Sequence, residues 1–130
     1  MQWNWEIRCY LDGGVDVIDQ WYQQQPEDLQ AKFDARIQYL RQQPIANWKE
    51  PHFKNLARDG KGLGEIRFEF QNVQYRPLGF FSETRLEFVL LLATTKKGNA
   101  FDPRNAIDLC QRRKILVRSD KQRYSRDCQF

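Results

Sequence analysis

Two arginines and two lysines stand where strand-forming sequence carries them toward one surface. Arg67 lies in Gly64-Glu65-Ile66-Arg67-Phe68-Glu69-Phe70, and Arg76 in Tyr75-Arg76-Pro77-Leu78-Gly79-Phe80-Phe81. Lys96-Lys97 ends the run from Leu86 to Thr95. Strand alternation sends Ile66, Phe68 and Phe70 to one face and Glu65, Arg67 and Glu69 to the other. A four-residue turn, Gln71 to Gln74, would pair Phe70 with Tyr75. Glu69 then faces Arg76, with Arg67 as its diagonal neighbour. Clustered guanidinium and ammonium groups suit a phosphate. Chemistry at a bound phosphate asks for more. A proton must be removed from the attacking group, a crowded dianionic phosphate stabilised, and the leaving oxygen protonated. Preorganised cations supply the second of these, whereas the other two need a group of suitable pKa.

The proton-transfer candidates are fewer. His52, the one histidine, sits in a linker beside Pro51 and reads as an exposed loop residue. Glu65, Glu69 and Glu87 fall on the open face and could act as bases, although a carboxylate beside an arginine in a sheet is also a cross-strand salt bridge. Tyr75 points to the core. Phe80 falls on the Arg67 face, where an aromatic ring stacks a base or meets the C-terminal helix or a partner protein. No His, Cys, Asp or Glu cluster has metal-ligand spacing. Gly60-x-Gly62-x-Gly64 precedes a strand and not a helix, so it is no nucleotide loop. Neither a metal nor a cofactor is expected.

The charge distribution points the same way. The net charge is +4, but residues 96–130 alone carry ten Lys/Arg against four Asp/Glu. A basic C-terminal quarter suits an anionic partner such as RNA. Arg104, Arg112 and Arg113 join Phe80 as candidate RNA contacts. The chain of 130 residues is long enough for one domain with a real core. Its longest apolar run, Phe88 to Ala93, is too short to span a bilayer, and the N-terminus shows no secretory pattern. Cys9, Cys110 and Cys128 are odd in number and widely spaced, which suggests a reducing compartment and a cytoplasmic location.

The elements that must position these groups are legible in outline. Trp3, Trp5, Ile7, Cys9 and Leu11 alternate with polar neighbours as a half-buried strand, ended by Asp12-Gly13-Gly14. Val15, Ile18, Trp21 and Tyr22 predict a short helix over 14–25. Pro26-Glu27-Asp28 opens a second helix with the apolar stripe Leu29, Phe33, Ile37 and Leu40. Residues 45–63 read as irregular. Putting Leu86, Phe88, Leu90 and Leu92 on the Phe68 face requires Phe81 to pair with Thr84 around a Ser82-Glu83 turn. Asp102-Pro103 starts a C-terminal helix with Ala106, Ile107 and Cys110 inward, and the polar segment from Arg118 frays. The expected fold class is α+β. An N-terminal strand and a two-helix hairpin pack on an antiparallel sheet of about four strands (residues 3–10, 64–70, 74–81 and 85–94). The opposite face then exposes Leu78, Phe80, Val89 and Leu91, an apolar patch for a partner.

This order of elements resembles the RelE/ParE toxin superfamily, most closely its HigB-like, phage-derived branch. Leu63-Gly64-Glu65-Ile66-Arg67 is similar to the family's Glu-Leu-Arg strand, and Tyr75-Arg76 with Phe80-Phe81 to its Tyr-Arg strand. Thr95-Lys96-Lys97 followed by Pro103-Arg104-Asn105-Ala106-Ile107 resembles its Lys-Lys and helix-start segment. Residues 29–56 fit the preceding helix and linker. The resemblance covers a single domain over 1–115 and leaves 116–130 as a basic polar tail. It implies the toxin of a type II toxin–antitoxin pair, a metal-independent and ribosome-dependent mRNA endoribonuclease. Its partners would be an antitoxin with a helix-turn-helix, mRNA and the ribosome, with no membrane involved. Arg67, Arg76, Lys96 and Lys97 match the catalytic positions. The family's histidine before the lysine pair has no counterpart in Leu92-Ala93-Thr94-Thr95. The alternatives are a toxin-fold binding or regulatory protein without cleavage, and a ParE-like inhibitor of a protein target such as gyrase.

Overall fold

The computed structural model describes residues 3–56, 58 and 62–130. Its elements in chain order are β1 (Glu6–Asp12), β2 (Val15–Asp16), α1 (Val17–Gln23), α2 (Glu27–Arg41), β3 (Phe53–Leu56), β4 (Leu63–Ile66), β5 (Phe68–Phe70) and β6 (Val73–Tyr75). They continue with β7 (Leu78–Phe81), β8 (Glu87–Leu92), β9 (Thr95–Lys97), β10 (Ala100–Asp102), α3 (Ala106–Ser119), α4 (Lys121–Tyr124) and β11 (Ser125–Asp127). The class is α+β. A main sheet runs β11-β1-β8-β7-β4-β3, with β2 paired to β1, and a smaller sheet runs β10-β9-β6-β5. All pairs are antiparallel except β1 with β8.

Local chemistry accounts for the helices. The Asp16 carboxylate accepts the Ile18 and Asp19 N–H groups at 3.0 and 2.9 Å and so opens α1. Helix α2 follows Pro26, with Glu27 and Asp28 in its first turn, and buries Leu29, Phe33, Ile37 and Leu40 as the stripe predicts. Both helices pack on the sheet face that carries Ile7, Phe53, Ile66, Phe88 and Leu90.

The opposite face is also covered. Leu63, Leu78, Phe80, Val89 and Leu91 form a second core with Ala106, Cys110 and Val117 of α3. The expectation of an exposed apolar patch there is corrected, because the chain's own C-terminal helix fills it. This also explains why β8 is apolar on consecutive residues, since a strand buried on both faces has no reason to alternate.

Two registers differ from the sequence reading. Phe70 pairs with Val73, and Phe68 with Tyr75, around a tight Gln71-Asn72 turn. Both turn residues take positive φ, 49° and 65°, which matches the twist of a two-residue hairpin. Glu69 therefore faces Gln74 and not Arg76. Phe81 pairs with Phe88 and not Thr84. At Phe70 and at Phe81 the differences are even numbers of residues, so those side chains keep their predicted faces. A register shift between Leu78 and Gly79 then moves Leu92 from the predicted Phe68 face to the core under α3.

Close packing leaves no room for a side chain at Gly79. A Cβ there would lie 2.3 Å from the Val89 carbonyl oxygen. A backbone atom in a central strand cannot move aside, so Gly79→Ala should sit at the upper end of the roughly 1–3 kcal/mol typical of overpacking. Denaturant unfolding checks this; an unchanged midpoint would show that β7 and β8 are less tightly apposed.

The polar tail does not fray. Helix α3 runs through the 115/116 boundary to Ser119, and β11 then pairs antiparallel with β1 at the sheet edge. Ser125 is buried and takes bonds from Arg8 at its hydroxyl (2.8 Å) and carbonyl (2.9 Å). Cys128 forms a disulfide with Cys9, a pairing that the wide spacing of the cysteines did not suggest, and the buried Cys110 is free. Phe130 packs its ring 4.8 Å from Phe33 and 5.4 Å from Tyr22.

Candidate phosphate-binding site at the crease between the sheets

The three long strands expected from sequence are each broken in two. The breaks fall at Arg67, at Arg76-Pro77 and at Ala93-Thr94, and together they make a crease where the small sheet turns away from the main one. Proline lacks an N–H for the ladder. Carbonyls that leave the ladder at such a bend need other donors, and arginines provide them. The Arg76 guanidinium donates to the Tyr75 carbonyl at 2.8 Å, to the Phe68 carbonyl at 3.4 Å and to Gln74 Oε1 at 2.7 Å. Arg36, from α2, donates to the Arg67 carbonyl.

Glu65 lies beneath the crease with 0% exposure. Its Oε1 is 3.1 Å from Arg67 Nε and 3.8 Å from Arg76 Nε. These contacts are ionic only, since neither carboxylate oxygen has an aligned hydrogen-bond donor. Arg67 Nη1 also reaches Glu50 at 2.9 Å. The buried acid of the crease is thus Glu65, where the sequence reading had assigned the arginine contact to Glu69.

Above this floor is an open cavity of about 340 Å³, lined by Arg36, Pro51, His52, Arg67, Phe68, Glu69, Gln74 and Arg76. Burial lowers the pKa of Arg76, and the Arg67 charge lowers it further against the pull of Glu65 and Glu69. Burial likewise lowers Arg36. His52 is held below its ordinary value by burial and then by Arg36. Burial leads each of these shifts, and a neighbouring guanidinium adds to it at Arg76 and His52. A dianion entering the cavity would favour the charged guanidinium groups.

The cationic surface continues along the small sheet. Glu69 faces Gln74, Gln74 faces Lys96, and Lys96 faces Phe101, so the four share one face across four strands. Gln74 lines both the crease cavity and a groove formed with Lys96, Phe101 and Arg104. Lys96 Nζ sits 4.7 Å from the centroid of the half-exposed Phe101 ring.

Of the predicted residues, Arg67 and Arg76 converge in the crease, and Lys96 and Arg104 line the adjoining groove. Lys97 pairs with Ala100 and alternates with Lys96 along β9, yet it lines the same groove. Phe80 is 2% exposed beneath α3, with Lys114 Nζ 5.4 Å from its ring, and presents no face to a base. Arg113 donates to the Leu91 carbonyl at 2.7 Å and covers the Tyr10 ring, which ties it to the fold. Arg112 is exposed on α3 and does not line the crease cavity. Glu87 is buried, bonded to Ser82 at 2.6 Å and to Lys121 at 3.2 Å, so it is no free base. Tyr75 stacks on Phe68, as its inward placement predicts.

Arg36, Gln74 and Phe101 were not expected at the site, and His52, expected as an exposed loop residue, is instead half-buried and lines the cavity. Arg36 lies one position from the buried stripe of α2, where a cation is ordinary. His52 carried the signal of being the lone histidine. Phe101 carried that of an aromatic in an otherwise polar turn region. Gln74 carried none.

No helix of the described residues is long and apolar enough to cross a membrane. No curated protein and no solved structure matches this chain. A family model does, over residues 20–114, and it spans α2, both sheets' central strands and most of α3. The chain belongs to the family described as phage derived protein Gp49-like, a RelE/toxin-like family.

Proposed function

We propose that the crease binds the phosphate backbone of single-stranded RNA and that the protein is a HigB-like toxin of a type II toxin–antitoxin pair. In this reading it acts as a metal-independent mRNA endoribonuclease in the cytoplasm. The observation that carries the proposal is the convergence of Arg36, Arg67 and Arg76 on one open cavity. Arg67 and Arg36 hold the scissile phosphate over the floor made by Glu65 and Arg76. Lys96 and Arg104 track the next phosphates, and Phe101 stacks a base beside them. Lys97, which lines the same groove, is left to a peripheral backbone contact.

Arg67 is the informative variant, because its side chain is 22% exposed and less embedded than that of Arg76. Arg67→Ala should lower cleavage on the order of a hundredfold, as expected for one lost charge-stabilising donor. It should also flatten the salt dependence of RNA binding. Arg112→Ala on α3 serves as the neutral control. Assays on free RNA and on translating ribosomes separate ribosome-dependent from independent action. Equal activity of Arg67→Ala and wild type in both would remove the reading.

One observation favours the second reading, a binding module without cleavage: Arg76 spends its donors on the protein's own backbone and on Gln74. Retained RNA affinity with no cut product in either assay would select it. Inhibition of a protein target in the ParE manner would instead leave RNA unbound. The antitoxin partner belongs to the same proposal. With the sheet face filled by α3, the surface left for it is the outer side of that helix, where Ile115 is 66% exposed between Arg112 and Arg118.

A further inference from the structure

Among the groups that line the crease, His52 is the one whose ordinary pKa lies near neutrality. Its position is set by the backbone. The His52 N–H donates to the Lys49 carbonyl at 3.0 Å, and its carbonyl accepts the Arg67 N–H at 2.9 Å. The residue therefore continues the β3–β4 pairing, one step beyond Phe53 and Ile66, directly beside Arg67. The Tyr39 ring of α2 lies 4.5 Å from the imidazole and holds its plane. The imidazole lines the same cavity as Arg36, Arg67 and Arg76, and its Nδ1 is buried without a hydrogen-bond partner. A histidine kept only for structure is normally hydrogen-bonded or faces solvent. This one lies against a tilted tyrosine ring, is fastened by its backbone and leaves Nδ1 unpaired in a cavity it shares with three guanidinium groups.

We infer that His52 is the general base of this site and takes the 2′-hydroxyl proton of an RNA whose phosphate is held by Arg36 and Arg67. The inference rests on the RNA-cleaving reading above. Neutral imidazole accepts the 2′-hydroxyl proton as the 2′-oxygen bonds to phosphorus. The bond from phosphorus to the 5′-oxygen breaks, and the departing oxygen takes a proton from solvent water. The products are a 2′,3′-cyclic phosphate and a 5′-hydroxyl, and His52 later returns its proton to water. The charged and titratable groups around the imidazole are Arg36 and Tyr39 from α2, and Glu50 from the preceding loop. Glu65, Arg67, Glu69 and Arg76 complete the set from the strands of the crease. Burial first, and then the Arg36 charge, lower the imidazole pKa and so favour the neutral form that a base requires. Among these groups Glu69 is the rival base, since it lines the cavity and is half of no ion pair in the described residues.

The test uses the full chain and a single-stranded RNA oligonucleotide, with translating ribosomes as a second substrate, at pH 5 to 8. His52→Gln should cleave about 10²–10⁴-fold more slowly while binding the oligonucleotide as wild type does. The acid limb of the wild-type profile, falling below pH 6.5 as His52 becomes protonated, should vanish. Added imidazole should restore part of the activity of His52→Ala, which no purely structural role would produce. If neither variant folds, the wild-type acid limb decides: its absence overturns the inference. His52→Gln cleaving within a few-fold of wild type, or Glu69→Gln losing cleavage while His52→Gln keeps it, overturns this assignment and leaves the nuclease reading standing. Wild-type protein that binds RNA but cuts neither substrate overturns both.

Discussion

Reducing the Cys9–Cys128 disulfide is expected to lower the unfolding free energy by about 4–5 kcal/mol, the chain-entropy value for closing a loop of this size. The two cysteines are 119 residues apart, so the bond constrains nearly the whole unfolded chain. It also fastens β11, a three-residue edge strand, to the centre of β1, and it lies against the core that Phe130 closes. Guanidinium unfolding with and without reductant measures the difference, and Cys128→Ser should reproduce it. Cys110 does not confuse the result, because burial pushes its thiol up to about 12 and keeps it protonated and unreactive. Identical midpoints after thiol titration has verified reduction would show that the staple adds nothing. A compartment that keeps thiols reduced would hold the protein in the less stable form, so stability becomes sensitive to redox poise.

Arg76→Ala is expected to cost about 1–3 kcal/mol, the range for leaving buried polar groups without their donor. The Arg76 side chain is 10% exposed and its partner Glu65 is wholly buried. Truncation would leave Glu65 facing Arg67 alone, and would strip donors from the Phe68 and Tyr75 carbonyls at the crease. Lost toxicity in Arg76→Ala would then reflect misfolding as much as chemistry. Thermal or denaturant unfolding separates the two. Replacing Glu65 by Leu together with Arg76 by Met should recover much of the loss, because removing both members of a buried pair is far milder than removing one. Arg85→Ala, at an exposed position beside the β7–β8 turn, should stay within about 0.5 kcal/mol of wild type. If Arg76→Ala is as stable as Arg85→Ala, the crease does not depend on that guanidinium.

Much of the fold was legible because it rests on local periodicity. The stripe of Leu29, Phe33, Ile37 and Leu40 specifies α2 and its buried face without reference to anything else. Alternation through Ile66 and Phe68, and through Phe88 and Leu90, assigns those residues to one core, and errors of an even number of residues in both hairpins left that assignment untouched. The proximity of Arg67 and Arg76 follows from the same parity. Residue type and spacing were enough for that much, since they act over one strand or one turn of helix.

Other features needed the tertiary structure, because their causes lie far apart in the chain. Whether Phe80, Val89 and Leu91 face solvent depends on where α3 returns, and no pattern within β7 or β8 says so. The polar segment after Arg118 looks dispensable by composition, yet Arg8, Cys9 and Phe33 draw it into the sheet and the core across more than ninety residues. The crease is a collective bend of three strands, and it decides that Glu65, not Glu69, is the buried acid. It also brings His52 from a linker, and Arg36 from a helix, to the same cavity as Arg67 and Arg76. Side-chain types determine which groups can hold a phosphate or move a proton. Only the bend between the sheets, set by long-range packing, decides which of them meet.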